Sequence, residues 1–99
     1  MVKLITLEGV VSSQLVHKGS KSEHEAYVLT LADAYRDKEC MSASGRTEKI
    51  GDIVLLRYKG NNAFEKPKQL AAAEGNTIEA KGYYLGSGAF IVHSYDIKQ

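Results

Sequence analysis

The sequence predicts a mainly β protein, a five-stranded barrel with one short helix between its third and fourth strands. Gln69 to Glu74 is rich in leucine and alanine, which favour helix, and it follows Pro67, a residue suited to the first turn of a helix. Gly75 suits the left-handed residue that closes a helix. From Ile78 to Tyr84 the residues then alternate between two faces, which is the period of a half-buried strand.

The order of the predicted strands gives the fold a more specific form. Gly9 inside the first strand predicts a bulge, which lets that strand bend and serve both sides of a closed barrel. The apolar run from Ile53 to Leu56 predicts a third strand that is buried on both faces. Five strands with the helix after the third follow the order of an OB-type barrel. The predicted strand regions are Val2 to Val16, Glu25 to Leu31, Ile50 to Tyr58, Ile78 to Tyr84 and Ala89 to Ile97.

Two segments connect the predicted strands, the short helix and the stretch from Ala32 to Lys49. The helix is too short to be stable alone, so it must dock on the barrel, and Phe64, Leu70 and Ala73 are the expected docking groups. The segment from Ala32 to Lys49 has fair helix propensity at first and then a turn-forming run. It is either an irregular or extended hairpin between the second and third strands, which we favour, or a helix, which would make the fold α+β.

Length and composition limit the class of protein. The 99 residues predict one domain, residues 1–99, with enough chain for one core. The net charge of +1 gives no global attraction to nucleic acid or membrane. The single cysteine, Cys40, excludes an internal disulfide and is consistent with a reducing compartment. With neither a signal-peptide pattern nor an apolar run of membrane-spanning length, the sequence predicts a cytoplasmic protein without membrane contact.

Four short motifs resemble a group of small, uncharacterised bacterial OB-fold-like proteins. They are Gly9-Val10-Val11, Gly19 to Glu23, Gly60 to Phe64 before the short helix, and Gly75 to Tyr83. The resemblance covers most of the chain and thins between Ala32 and Lys49. It implies the OB-like fold, and because no activity is assigned to that group, it implies no catalytic residue.

The residue types that carry chemistry show no catalytic or metal-binding spacing. His17, His24, His93 and Cys40 are the candidate metal ligands, but no C-x-x-C or H-x-x-x-H pair occurs. No nucleophile-elbow motif surrounds a serine or the cysteine. The sequence therefore predicts a non-enzymatic protein with no catalytic residues, no metal and no cofactor.

The predicted fold also predicts where a ligand would bind. Ligands of OB-type barrels lie across strands two and three, between the first-to-second and fourth-to-fifth strand loops. Those loops are His17 to His24 and Leu85 to Gly88 in this chain. Basic side chains there would contact phosphates, and each tyrosine that stacks on a base would contribute about 1–3 kcal/mol. The candidate ligand-binding residues are Lys18, Lys21, Tyr27, Arg57, Tyr58, Lys59 and Tyr83.

Two classes of function fit this surface. The favoured class is a protein-interaction or structural module, with homodimerisation as a variant; the alternative is weak binding of single-stranded nucleic acid. Convergence of the four basic candidates on one groove would favour nucleic acid. An exposed apolar patch would favour a protein partner. The candidate patch residues are Val10, Val11, Leu15 and Val16.

Overall fold

The computed structural model describes residues 4–62 and 65–98, and it confirms the mainly β class. The helix predicted after Pro67 is a 3₁₀ helix, and every predicted strand region contains a long strand. Val2, where the first predicted strand region begins, lies outside the described residues. The strands are β1 (Ile5–Val16), β2 (His24–Leu31), β3 (Glu39–Met41), β4 (Thr47–Lys49), β5 (Ile53–Tyr58), β6 (Thr77–Gly86) and β7 (Ala89–Lys98), and the 3₁₀ helix is Lys68–Ala73.

The five long strands form one sheet that closes on itself as a barrel, in the order β1-β2-β5-β7-β6. Strand β1 closes the ring because its first half pairs with β6 and its second half pairs with β2. All neighbouring strands are antiparallel except β5 and β7, which are parallel. Closure leaves no long strand of this sheet without a neighbour on either side.

At Gly9 the structure corrects the predicted bulge. The pairing of β1 with β2 and with β6 runs through this residue without a shift in register. A Cβ atom at this position would lie 2.1 Å from the carbonyl oxygen of Thr30, so the glycine is required by a close approach of two backbones. The register shifts of the closed sheet lie instead between β6 and β7, at Lys81/Gly82 and at Tyr84/Gly86.

The segment between β2 and β5 contains the small antiparallel hairpin β3–β4, so the interpretation as an extended hairpin is confirmed over the helix. The backbone N–H of Ala43 donates to the carbonyl of Tyr84 over 2.8 Å, and Ile50 beside the hairpin is fully buried. The hairpin therefore packs near the β6–β7 connection. It adds Ile50, which lies outside the five long strands, to the buried core.

The 3₁₀ helix contributes two fully buried side chains, Leu70 and Ala73, to the core, as the sequence predicts. Gly75 follows it with φ of +82°, the left-handed geometry that ends a helix. The hydroxyl of Tyr95 on β7 donates to the carbonyl of Gln69 over 2.6 Å, which ties the helix to the barrel. Phe64, the third predicted docking group, lies outside the described residues.

The core fills the inside of the barrel, and it corrects the prediction for the third long strand. On β5 only Val54 and Leu56 are buried; Leu55 is half-buried and Ile53 is 41% exposed. The strand that is buried on both faces is β2, from Ala26 to Leu29. The prediction that the apolar run makes β5 buried on both faces is therefore wrong, because Ile53 and Leu55 point to the outside of the barrel.

Candidate ligand-binding face

The outside of the barrel carries a largely apolar surface across β1, β2, β5, β7 and β6, which we call the Arg57 face. Strand alternation defines it: inward partners such as Leu29 and Val54 are buried in the core, so the residues between them point outward. The Arg57 face consists of Val10, Ser12, Val28, Thr30, Ile53, Leu55, Arg57, Tyr83, Ala89 and Ile91.

The strand registers arrange these residues in three rows across the sheet. The first row joins Val10, Thr30 and Ile53. The second joins Ser12, Val28, Leu55 and Ala89, and the third joins Arg57, Ile91 and Tyr83. Neighbouring strands are about 4.8 Å apart and rows about 6.6 Å apart, so the three rows are adjacent on the outside of the sheet. Val28, in the second row, is nevertheless buried, with 3% of its surface exposed.

The other side of the barrel is charged, and we call it the Glu79 face. It lies on β1, β6 and the second half of β7. Lys98 Nζ forms ion pairs with Glu8 at 2.9 Å and with Glu79 at 3.7 Å. The hydrogen bond to Glu8 is the main cause of a raised pKa for Lys98. This face consists of Thr6, Glu8, Glu79, Lys81, Asp96 and Lys98.

Arg57 is the one charged residue among the ten of the Arg57 face, and it is half-buried. Its Nε atom is buried and has no hydrogen-bond partner among the described residues. A buried N–H of a guanidinium is costly to leave unpaired, since charged donors lose more hydration than neutral ones. Among the described residues, the Arg57 guanidinium therefore has an unmet hydrogen bond at Nε.

Exposed or half-buried apolar groups lie on the same face as that cation. Val10 is 43% exposed and Ile53 41% exposed, while Leu55 and Ile91 are half-buried. At the Arg57 end, the ring of Tyr83 packs edge-on against the ring of His93, with 4.9 Å between the centroids. The face thus has exposed apolar residues at the end of Val10 and Ile53, and a cation and an aromatic pair at the end of Arg57.

Two of the three predicted stacking tyrosines pack against the core of the barrel. Tyr27 is buried in the core cluster, and the ammonium of Lys66 lies 4.7 Å from its ring centroid. Tyr58 is partly buried and packs against the same cluster. Both side chains point to the inner side of their strands, so neither lies on the outer face, and that they stack on bases stays a prediction. Of the predicted site residues, Arg57 and Tyr83 share the outer face.

The predicted phosphate-contacting lysines lie outside the ten residues of the Arg57 face, although Lys59 is only two residues after Arg57. Lys18 and Lys21 are exposed in the loop between β1 and β2, and Lys59 is exposed just after β5. In that loop the backbone N–H of Gly19 donates to the carboxylate of Glu23 over 2.7 Å. An amide that would suit a phosphate is therefore already bound to an anion of the chain itself.

The loop from Leu85 to Gly88 shows the same arrangement. The N–H of Ser87 donates to the Glu48 carboxylate over 3.2 Å, and the N–H of Gly88 donates to the Tyr84 hydroxyl over 2.9 Å. A carboxylate beside this turn would repel a phosphate. Both loops that would flank a nucleic acid thus hold an acidic side chain on a backbone amide.

Sequence reasoning missed the apolar part of the face. Leu55 and Ile91 are half-buried in its middle and Val28 beside Leu55 is buried, and none of the three is among the predicted ligand-binding residues. The alternation of β2 does place Val28 opposite the core face, so that signal was present. Leu55 is concealed within a run that reads as doubly buried. Among the predicted patch residues, Val10 and Leu15 are exposed, but Val11 is fully buried and belongs to the core.

The candidate metal ligands are three histidines and the single cysteine. Within residues 4–62 and 65–98, no group of three His, Cys, Asp or Glu side chains is placed to hold a metal ion. The rings of His17 and His24 lie 5.9 Å apart. Burial, with a smaller contribution from the Glu48 carboxylate, raises the pKa of the Cys40 thiol. A raised pKa lowers the fraction of thiolate, which is the reactive form.

Comparison of the chain with protein-family models, with curated proteins and with solved structures finds no significant match. The resemblance to small bacterial OB-like proteins therefore stays a prediction. No helix in the described part of the chain is long and apolar enough to cross a membrane.

Proposed function

We propose that this chain is a non-enzymatic, OB-like interaction module that binds a protein partner through the Arg57 face. The order β1-β2-β5-β7-β6, the parallel β5–β7 pair and the short helix between β5 and β6 support the OB-like assignment. A cytoplasmic location and kinship with the small bacterial OB-like proteins are part of the same proposal.

The observation that carries the proposal is the difference between the two outer sides of the barrel. The Glu79 face has the ion pairs expected of a solvated surface. The Arg57 face has apolar outward positions in each of its three rows and no acidic side chain. Apolar groups that are exposed at Val10 and Ile53 and half-buried at Leu55 and Ile91 lie on one face with a cation whose Nε has no hydrogen-bond partner among the described residues. Such a combination is typical of a surface that is covered by a partner.

The loops favour a protein partner over nucleic acid. Glu23 and Glu48 place carboxylates on the amides of the two loops beside the predicted binding surface. Tyr27 is buried and Tyr58 is partly buried against the core, so two of the three predicted stacking groups point away from the Arg57 face. Since single-strand binding depends on stacking and on a positive groove, these features weaken that function more than they weaken protein binding.

The proposal is tested with one substitution on each outer side of the barrel. Leu55→Asp places a carboxylate in the middle of the Arg57 face, and Thr6→Asp is the matched control on the Glu79 face. We expect a partner that co-purifies with the unaltered protein and with Thr6→Asp, quantified by mass spectrometry, to be lost with Leu55→Asp. Circular dichroism must show that both variants are folded. Equal recovery with both variants would contradict the proposal.

A second copy of the chain is one form that the partner could take. Sedimentation velocity of the purified protein over a range of concentrations distinguishes this form from a different protein. A dimer that dissociates with Leu55→Asp but persists with Thr6→Asp would assign the face to self-association. A monomer at all concentrations would leave a different protein as the partner.

Single-stranded nucleic acid is the second candidate, and the row of Arg57, Ile91 and Tyr83 is the observation that favours it. A cation beside an aromatic ring is a combination that contacts both phosphate and base. Titration of labelled protein with mixed-sequence single-stranded DNA and RNA, followed by amide NMR, tests this candidate. Shifts in this row and in the 17–24 and 85–88 loops that weaken with salt would support it; no shifts at low salt would exclude it.

A further inference from the structure

We propose that the partner binds as an extended segment that places an acidic side chain on Arg57 and apolar side chains on Leu55 and Ile53. This inference rests on the proposed function and adds the chemistry of the partner to it. Three features of the molecule support it: the charge of the face, the hydrogen-bonding state of the guanidinium and the spacing of residues along β5.

Charge complementarity points to an acidic group. Arg57 is the single charge of the Arg57 face, and its buried Nε has no partner among the described residues. A guanidinium presents its N–H donors as a planar fork, which matches the two oxygens of a carboxylate. Such charge-assisted pairs are about twice as strong as neutral hydrogen bonds. A ligand without an acidic group would cover the half-buried Arg57 guanidinium without supplying a countercharge.

The spacing along β5 defines where the apolar groups of the ligand lie. Ile53, Leu55 and Arg57 all point outward because alternate residues of a strand share one face. At a rise of about 3.3 Å per residue, Leu55 is about 7 Å and Ile53 about 13 Å from Arg57 along the strand. An extended segment that runs along β5 rises by the same amount. The segment therefore carries apolar residues two and four positions away from its acidic residue, either before or after it.

The rest of the face favours a peptide over a nucleic acid strand. Val10 and Ile53 are exposed apolar residues on either side of Thr30, in the row away from Arg57. A polynucleotide would bring a phosphate to every nucleotide, whereas the ten residues of the Arg57 face include one cation, with Lys59 exposed just beyond it. The Glu48 carboxylate, which accepts from the N–H of Ser87 in the turn before β7, would also repel phosphate. A peptide with one acidic side chain among apolar side chains is complementary to a face with one cation, Arg57, among apolar residues.

A peptide selection tests the inference directly and does not require the natural partner to be identified. Random twelve-residue peptides displayed on phage are selected on the immobilised full chain and, in parallel, on the Arg57→Gln variant. We expect peptides enriched on the unaltered chain to carry Asp or Glu with apolar residues two and four positions away, and to be absent from the variant selection. Enriched peptides without an acidic residue, or equal enrichment on both proteins, would overturn the inference.

The best peptide is then compared with its Glu→Gln or Asp→Asn form by NMR titration of labelled protein. The acidic peptide should shift the Nε–H signal of Arg57 and bind at least about tenfold more tightly than its amide form, a difference of about 1.4 kcal/mol. Arg57→Lys should retain part of this preference, because a lysine keeps the charge and loses the fork. Thermal unfolding shows that the Arg57 variants are folded.

The remaining outcomes separate this inference from the proposed function. Equal binding of the acidic and amide peptides at the Arg57 face would overturn the inference and leave a protein-binding face in place. Binding on the Glu79 face would overturn both. A shift of the Arg57 Nε–H signal with a mixed-sequence DNA twelve-mer, and with no selected peptide, would replace the peptide with nucleic acid.

Discussion

At Gly82 the backbones of β6 and β7 lie so close together that no side chain fits between them. A Cβ atom at this position would lie 1.8 Å from the carbonyl oxygen of Ile91 and 2.9 Å from its carbon. The register of the two strands shifts between Lys81 and Gly82, so the close approach coincides with an irregular pairing. Glycine is required here by space rather than by a left-handed backbone.

Gly82→Ala is therefore expected to lower the free energy of unfolding by about 2 kcal/mol or more, because the backbone must move to admit a methyl group. Gly51→Ala is the matched control, since a Cβ atom there would meet no atom within 4 Å. The control should change the same quantity by less than about 1 kcal/mol. Urea unfolding followed by circular dichroism measures both. Similar values for the two variants would show that the strands separate easily at Gly82.

Cys40 gives a prediction on pH and reactivity. Burial, and then the Glu48 carboxylate, raise the pKa of its thiol above the ordinary value in the folded chain. A group with a raised folded-state pKa stabilises the fold below its unfolded-state pKa, and the contribution is lost as pH rises through the folded-state value. We expect the thiol to react with a disulfide reagent more slowly in the folded protein than in urea at about pH 8, where an unperturbed thiol is partly ionised. Equal rates, corrected for the effect of urea on a free thiol, would contradict this.

The 3₁₀ helix is the element whose packing depends most on one side chain. Leu70 is fully buried in the core, whereas Lys68 in the same helix is exposed. Leu70→Ala should lower the free energy of unfolding by about 2–5 kcal/mol through lost apolar burial and a cavity. Lys68→Ala, a control in the same short helix, should have little effect. Denaturant unfolding tests the difference, and a small loss for Leu70→Ala would mean that the helix contributes little to the core.

Elements differ in how far their sequence predicts them, and the reason is the distance over which they are stabilised. Alternation predicts the long strands because their inward positions, such as Ile78 and Ala80, are buried at every second residue. The hairpin β3–β4 has strands of three residues each, too short for a clear period. Its position depends on distant contacts, such as the hydrogen bond from Ala43 to Tyr84, which a local pattern does not contain.

The candidate site was predictable in part for the same reason. Arg57 and Tyr83 follow from their strands and lie on one outer face. Tyr27 shows the limit: alternation separates two faces of β2, yet it does not say which of two apolar faces points inward. Leu55 shows a second limit, because a continuous apolar run conceals the outward residues of a strand that is half-exposed.

At the scale of the whole molecule, one closed sheet presents two chemically different sides. The Glu79 face is charged and internally ion-paired, and the Arg57 face is apolar with one cation. The net charge of +1 gives no indication of this division, because it sums over both sides. The central claim is that the Arg57 face is the side that contacts a protein partner.

The most direct test of that claim is site-specific photocrosslinking in cells that express the chain. Benzoylphenylalanine is placed at Ile53 on the Arg57 face or at Glu79 on the opposite face, and crosslinked products are identified by mass spectrometry. We expect one protein, or a second copy of this chain, to be captured from position 53 and not from position 79, with capture lost when Leu55→Asp is added. Capture of that protein from position 79 alone, or equally from both positions, would contradict the claim.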